Sequence, residues 1–210
     1  LRAKEAAGLY LTGSRRPFAF QGVKLRLGPG RLLPGKEVAP APPPPPGPFA
    51  PLEARRDYLD HLRKSAQGLA LKRGVVYLDA MGGAGGGILG QVLKRLEAPV
   101  ELRELHPLPH PLFYGVAPDP RPEHLRTLRL LLREAKPPAL GLALDGDADR
   151  LGVYLPGGEA LPGDQALARL REAAQGREVE ALGEGAYRFP WHLEEPDPFL
   201  AALLLMGVLL

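Results

Sequence analysis

Asp145, Asp147 and Asp149, in the run Asp145-Gly146-Asp147-Ala148-Asp149-Arg150, put a carboxylate at every second position of one short segment. Gly146 and Ala148 are small enough to let that segment close around a single cation. Carboxylate oxygens are hard ligands that suit Mg2+ or Ca2+. The chain contains no cysteine, so any metal must be held by oxygen or imidazole. The plainer reading is an acidic surface turn, but crowding three like charges is costly unless a cation neutralises them. A calcium-binding EF-hand shares the spacing, yet its twelfth position falls on Pro156 where a bidentate glutamate is required. A divalent-metal site, Mg2+ foremost, is therefore expected at Asp145, Asp147 and Asp149.

The elements around this loop must present it. Ala139 to Leu144 is an apolar run that reads as a strand ending at the aspartates, and Leu151 to Leu155 reads as the next strand. Val75 to Asp79 is a further β-rich run, leading through glycines 82–87 into a helical segment from Ile88 to Leu96; Val100 to Leu105 reads as another strand. Helices are expected over Leu52 to Ala66 and over Pro122 to Ala135, where Leu125, Leu128, Leu131 and Leu132 share one face. The alternation describes an α/β domain from about Leu52 to Gln175 with an at least partly parallel sheet. Leu9 to Leu27 reads as strand, loop, strand. Residues 28 to 51, with the run Pro42 to Pro46, read as a stiff extended linker. Gly183 to Gly185 reads as a loop and Glu194 to Pro198 as a turn. The apolar Phe199 to Leu210 is too short to span a membrane and reads as a buried helix that needs something packed over it.

Of 210 residues, 45% are hydrophobic and 24% charged, which suits a chain able to bury a core. The 27 Lys and Arg against 24 Asp and Glu leave a net charge of +3 with no basic stripe. Nucleic acid and membrane are poor default partners, and a cytoplasmic location is expected. No leader peptide is visible, although the chain opens on Leu1 rather than Met.

Asp145-Gly146-Asp147-Ala148-Asp149-Arg150 between two apolar strands resembles the metal loop of the α-D-phosphohexomutases, the phosphoglucomutase and phosphomannomutase family. That family carries a phosphoserine loop of the form Thr-Ala-Ser-His-Asn-Pro followed by Asn-Gly-x-Lys. Here Thr12-Gly13-Ser14-Arg15-Arg16-Pro17 is followed by Gln21-Gly22-Val23-Lys24 in the same order and spacing. Asp79 to Gly85, Val116 to Leu125, and Gly163-Asp164 follow in the family's order. The resemblance implies mixed-sheet α/β domains of the phosphohexomutase type: residues 1–48 as part of the phosphoserine domain with its linker, 49–160 as the metal-loop domain, and 161–210 as part of the sugar-binding domain, with the final domain absent.

It further implies an intramolecular phosphotransferase acting between the 1 and 6 positions of a hexose phosphate, with hexose 1,6-bisphosphate as the intermediate. Ser14, phosphorylated at rest, would place a phosphate oxygen on the metal. Ser14, Lys24 and Arg150 are the implied catalytic residues, Lys24 either positioning the phosphoryl group or assisting proton transfer.

The pattern also breaks. Arg15 and Arg16 stand where the family has His and Asn, and could hold phosphate or crowd the substrate. The family's sugar-binding Gly-Glu-x-Ser-Gly survives only as Gly183-Glu184-Gly185-Ala186; Glu184 and, after it, His192 complete the implied substrate-binding set. Alone, His192 reads as structural. Abrupt ends and shortened intervals favour part of a longer protein over a divergent relative, and a catalytically silent sugar-phosphate binder that keeps the metal loop is the alternative. Gly85-x-Gly87-x-x-Gly90 with Glu101 and Glu104 beyond it also meets the loose dinucleotide fingerprint.

Overall fold

A computed structural model describes residues 7–27, 31–37, 47 and 53–210. The Pro42 to Pro46 run and Leu52 lie outside the described residues. In chain order the elements are β1 (Ala7–Thr12), β2 (Gly22–Leu27), β3 (Arg31–Leu33), α1 (Ala54–Ser65), β4 (Gly74–Asp79), α2 (Ile88–Arg95), β5 (Val100–Leu105), α3 (Arg126–Glu134), β6 (Ala139–Leu144), β7 (Leu151–Tyr154), α4 (Gly163–Ala173), β8 (Glu180–Ala181), β9 (Tyr187–Phe189), β10 (Leu193–Pro196) and α5 (Pro198–Leu209).

The main sheet has the order β5-β4-β6-β7. β4 runs parallel to both β5 and β6, while β7 turns back antiparallel to β6 with Leu144 opposite Leu151. The expected mixed α/β sheet is thus present, and the aspartate loop is the hairpin between β6 and β7. Every residue of β6 is buried. Leu140, Leu142 and Leu144 enter the large core formed with α1, α2, α4 and α5, whereas Ala143 faces α3 through Leu128 and Leu132. Gly141 on that second face leaves room for Leu132, whose Cδ1 would stand 2.3 Å from any β-carbon there. A strand covered on both faces is rigid at its end, where the carboxylates begin.

α5 is buried from Pro198 through Met206. It packs on α4, on β6 and β7, and on α1, so the apolar C-terminal run is core and the core is continuous across residue 160. Asp197 sets its start: Oδ1 accepts from the backbone N–H groups of Phe199 and Leu200 at 2.9 and 3.0 Å. No helix among the described residues is long and apolar enough to cross a membrane.

Two small antiparallel sheets flank this body, β1-β2-β3 and β10-β9-β8. Three expectations are corrected. Part of the presumed linker, Arg31–Leu33, is a strand whose Leu32 and Leu33 pair with Arg26 and Leu25 at the sheet edge, where the following Pro34 is tolerated. The segment read as a turn from Glu194 is mostly strand, because β10 pairs with β9 and the chain instead reverses at Pro190 to His192. The helix expected from Pro122 opens as a 3-10 turn, Pro122–His124, and α3 begins only at Arg126, because Leu125 leaves helical geometry (φ −113°, ψ 39°) while its side chain is buried.

Leu203 is fully buried in the middle of α5. Leu203→Ala should lower unfolding stability by about 2–5 kcal/mol, the usual cost of a cavity this size, measured by urea denaturation. A change within a few tenths would show that α5 is not core.

Candidate metal centre

The carboxylate of Asp145 is buried, and its Oδ1 accepts from the backbone N–H groups of Asp149 and Arg150 at 3.0 and 3.2 Å. Ala148 takes a left-handed conformation (φ 55°), which closes the loop so that the three carboxylates converge. One ligand oxygen from each of Asp145, Asp147 and Asp149 lies within 4.8 Å of the other two. Asp145 Oδ2, Asp147 Oδ1 and Asp149 Oδ1 are buried and have no hydrogen-bond partner among the described residues. Three buried acceptors without donors leave an oxygen cage that a hard divalent cation fits.

The other oxygens are tied down. Lys24 Nζ donates to Asp147 Oδ2 and Asp149 Oδ2, both at 3.0 Å. Thr12 Oγ1 donates to Asp147 Oδ2 at 2.9 Å, and Tyr10 Oη reaches the Asp147 carbonyl at 3.3 Å. Tyr10 pairs directly with Lys24 across β1 and β2, and Thr12 lies two residues on, so the pleat puts all three on one sheet face. Arg150 Nε stands 3.8 Å from Asp145 and 3.7 Å from Asp149, within charge attraction but beyond a hydrogen bond.

These contacts set the electrostatics. Burial, then the charges of Asp149 and Asp147, push the Asp145 carboxyl up to about 8. Burial also opposes ionisation of Asp147, but the hydrogen bond and charge of Lys24, with the Thr12 hydroxyl, hold it below the usual carboxylate range. Burial works against charge on Lys24 too, and its bonds to Asp147 and Asp149 more than offset this, leaving its ammonium group harder to deprotonate than usual.

The serine loop abuts the aspartate loop. A β-carbon on Gly146 would lie 2.5 Å from the Ser14 carbonyl, so glycine is required for the approach. Ser14 is half-buried, at φ 50°, and its N–H donates to Thr12 Oγ1 at 2.8 Å. Its two arginine neighbours diverge. Arg15 turns into a cavity of about 280 Å³ shared with Asp119, Arg121, Arg150, Tyr154 and Glu184. There Glu184 Oε2 stands 4.0 Å from Arg15 and 3.6 Å from Arg121. Arg16 instead lines a groove with Ser14 and Lys24, its guanidinium over the Phe20 ring at 5.6 Å.

His192 is not in that cavity lining. It is buried under α1, with Nδ1 bonded to Ser65 Oγ at 2.7 Å, Nε2 to Asp197 Oδ2 at 2.8 Å, and its ring stacked on His61. With both nitrogens engaged, its position is that of a core residue rather than a substrate ligand. Thr12, Tyr10 and Arg121 join the site without having been given a role in the sequence, where Thr12 was marked only as the threonine that opens the serine-loop motif.

The glycines that meet the loose dinucleotide fingerprint have another use here. They permit close packing: β-carbons on Gly85 and Gly86 would lie 2.5 Å from Leu144 Cδ1 and 1.8 Å from the Pro107 carbonyl. The Gly87 N–H at the start of α2 is already taken by Glu104 Oε1 at 2.7 Å. Neighbouring Gly83 would carry a β-carbon 2.7 Å from Gly146 O, so the glycine segment braces the metal loop.

Residues 56–158 match the phosphoglucomutase/phosphomannomutase alpha/beta/alpha domain II. A phosphoglucomutase of Neisseria meningitidis serogroup B is 31% identical over 173 residues, 77% of this chain and 36% of that protein. A phosphomannomutase of Salmonella typhimurium is 27% identical over 184 residues, 79% of this chain and 40% of that protein. The crystal structure of a Thermus thermophilus protein, provisionally described as a phosphomannomutase, superposes with a TM-score of 0.82 at 29% identity, covering 98% of this chain and 60% of that one. The chain thus spans little more than a third of the length of these curated relatives.

Asp145 gives the metal-free protein a pH signature. Its folded pKa of about 8 lies above the unfolded value of about 4. Its contribution is therefore fully present below about pH 4 and is lost as pH rises through about 8. Melting temperature in EDTA should fall across that window, and the rise caused by millimolar Mg2+ should grow with pH, because the cation replaces the proton. Differential scanning fluorimetry checks both. Asp145→Asn should flatten the slope, and an unchanged slope in that variant would assign the effect elsewhere.

Proposed function

The chain belongs to the phosphoglucomutase/phosphomannomutase family, and on that premise we propose that it moves a phosphoryl group between the 1 and 6 positions of a hexose phosphate through a phosphoserine at Ser14, with Mg2+ at Asp145, Asp147 and Asp149. The observation that carries this reading is the set of three buried carboxylate oxygens, unpartnered among the described residues, in a loop whose Gly146 packs against the Ser14 carbonyl. When bound there, Mg2+ would supply positive charge to the phosphoryl group in flight.

The protein's own groups do the rest. The Ser14 Oγ–P bond breaks as a sugar hydroxyl oxygen forms the new O–P bond, and the proton that hydroxyl loses ends on the freed Ser14 Oγ. The bisphosphorylated sugar then turns over and returns its other phosphoryl group to Ser14. Arg150, partly buried beside the cage, stabilises charge on the transferring group. Lys24 suits positioning better than proton transfer, because its two carboxylate partners keep it protonated. Arg15 and Glu184 would hold the sugar phosphate, a reading supported by the cavity they share, and Arg16 would supply a cation on the Ser14 side.

Purified protein should interconvert glucose 1-phosphate and glucose 6-phosphate, or the mannose pair, given Mg2+ and a trace of bisphosphate. Ser14→Ala should remove detectable turnover while leaving the circular dichroism spectrum unchanged; retained turnover would move the chemistry to another residue. Asp147→Asn should raise the Mg2+ concentration needed for half-maximal rate by about tenfold or more, since even outer-shell changes at metal sites cost about 10–100-fold. No turnover with either pair, together with an unphosphorylated Ser14 by mass spectrometry after bisphosphate treatment, would leave a silent sugar-phosphate-binding protein in its place.

A further inference from the structure

We propose that Thr12 is a positioning residue for the metal centre, a single hydroxyl that couples the serine loop to the aspartate cage. This rests on the reading of Asp145, Asp147 and Asp149 as metal ligands. Thr12 Oγ1 sits at the junction of the two loops. It accepts the Ser14 backbone N–H at 2.8 Å, and it donates its one proton to Asp147 Oδ2 at 2.9 Å. A hydroxyl can fill both roles at once, whereas a methyl can fill neither.

The consequence falls on the opposite oxygen. Asp147 Oδ2 is claimed by Thr12 and Lys24, and Oδ1, the buried oxygen without a partner, is left facing the cage. Fixing one oxygen of a carboxylate fixes the direction in which the other points, and outer-shell hydrogen bonds of this kind orient metal ligands. On the serine side, the bond to Thr12 holds the N–H of a residue in the left-handed region, φ 50°, which a non-glycine residue keeps only when its surroundings demand it. The same hydroxyl thus sets where Ser14 stands and how Asp147 is aimed. Lys24 also binds Asp147 and Asp149, but it has no bond to the serine loop among the described contacts.

The test is Mg2+ binding by isothermal titration calorimetry, which reads the cage without turnover. Thr12→Val keeps the shape and removes the hydroxyl; Thr12→Ala removes the hydroxyl and the packing; Thr12→Ser keeps the hydroxyl. Thr12→Val and Thr12→Ala should weaken Mg2+ binding to a similar degree, about 10–100-fold, and Thr12→Ser should bind like the wild type. A merely structural threonine predicts a lower melting temperature with an unchanged Mg2+ dissociation constant, and that result overturns the proposal, as does full affinity in Thr12→Ala should Thr12→Val fail to fold. Failure of the wild-type protein itself to bind Mg2+ overturns the metal reading and this inference together, and is told apart from the preceding outcome by the wild-type titration alone.

Discussion

Three carboxylates gathered within 4.8 Å repel one another, and the architecture is organised around tolerating that repulsion. Two backbone N–H groups serve Asp145; a lysine and a threonine from another sheet serve Asp147, and the same lysine serves Asp149. What these donors leave uncovered is one oxygen per aspartate. The remaining repulsion, together with burial, pushes the Asp145 carboxyl up and favours its protonated form unless a cation supplies the missing charge.

Keeping the carboxylates in this arrangement needs a rigid base. β6 provides it by being buried on both faces, with leucines toward the four-helix side and small residues toward α3. The glycine segment before α2 presses on the other side of the loop, where Gly83 meets Gly146 with no space for a β-carbon. Helix α5 closes the core beneath β6 and β7, and its start is governed by Asp197, which also holds His192 and Tyr58. Residues that resemble catalytic ones by type, His192 above all, are used here to fasten the helices together.

The hairpin of β1 and β2 contributes the other half of the site. Its contacts with the aspartate loop are polar and few, and Arg26 of β2 makes a further ion pair with Glu195 of β10. One face of the hairpin presents Tyr10, Thr12 and Lys24 to the acids, while Leu9, Leu11 and Val23 on the other face are exposed. The divergence of Arg15 and Arg16 follows from the same loop: adjacent residues in a turn point to different sides, so two consecutive cations serve two different spaces.

Much of this was legible in the sequence. The aspartate spacing announced a carboxylate cluster able to hold a metal, the alternating apolar runs gave β4 to β7 nearly to the residue, and the leucines of α3 and the apolar tail declared what they bury, because periodicity and local charge are properties of neighbouring residues. β3 and β10 were not legible, since short edge strands exist only through their partners. Nor were the bonds that Thr12 and Lys24 make to the aspartates, the elevated pKa of Asp145 or the partners of His192. Thr12 and Asp147 are 135 residues apart, and His192 and Ser65 are 127 apart. Sequence alone determined which groups could do chemistry; only tertiary packing decided which of their atoms were satisfied and which were left for a cation, because that depends on contacts between segments the chain brings together only when folded.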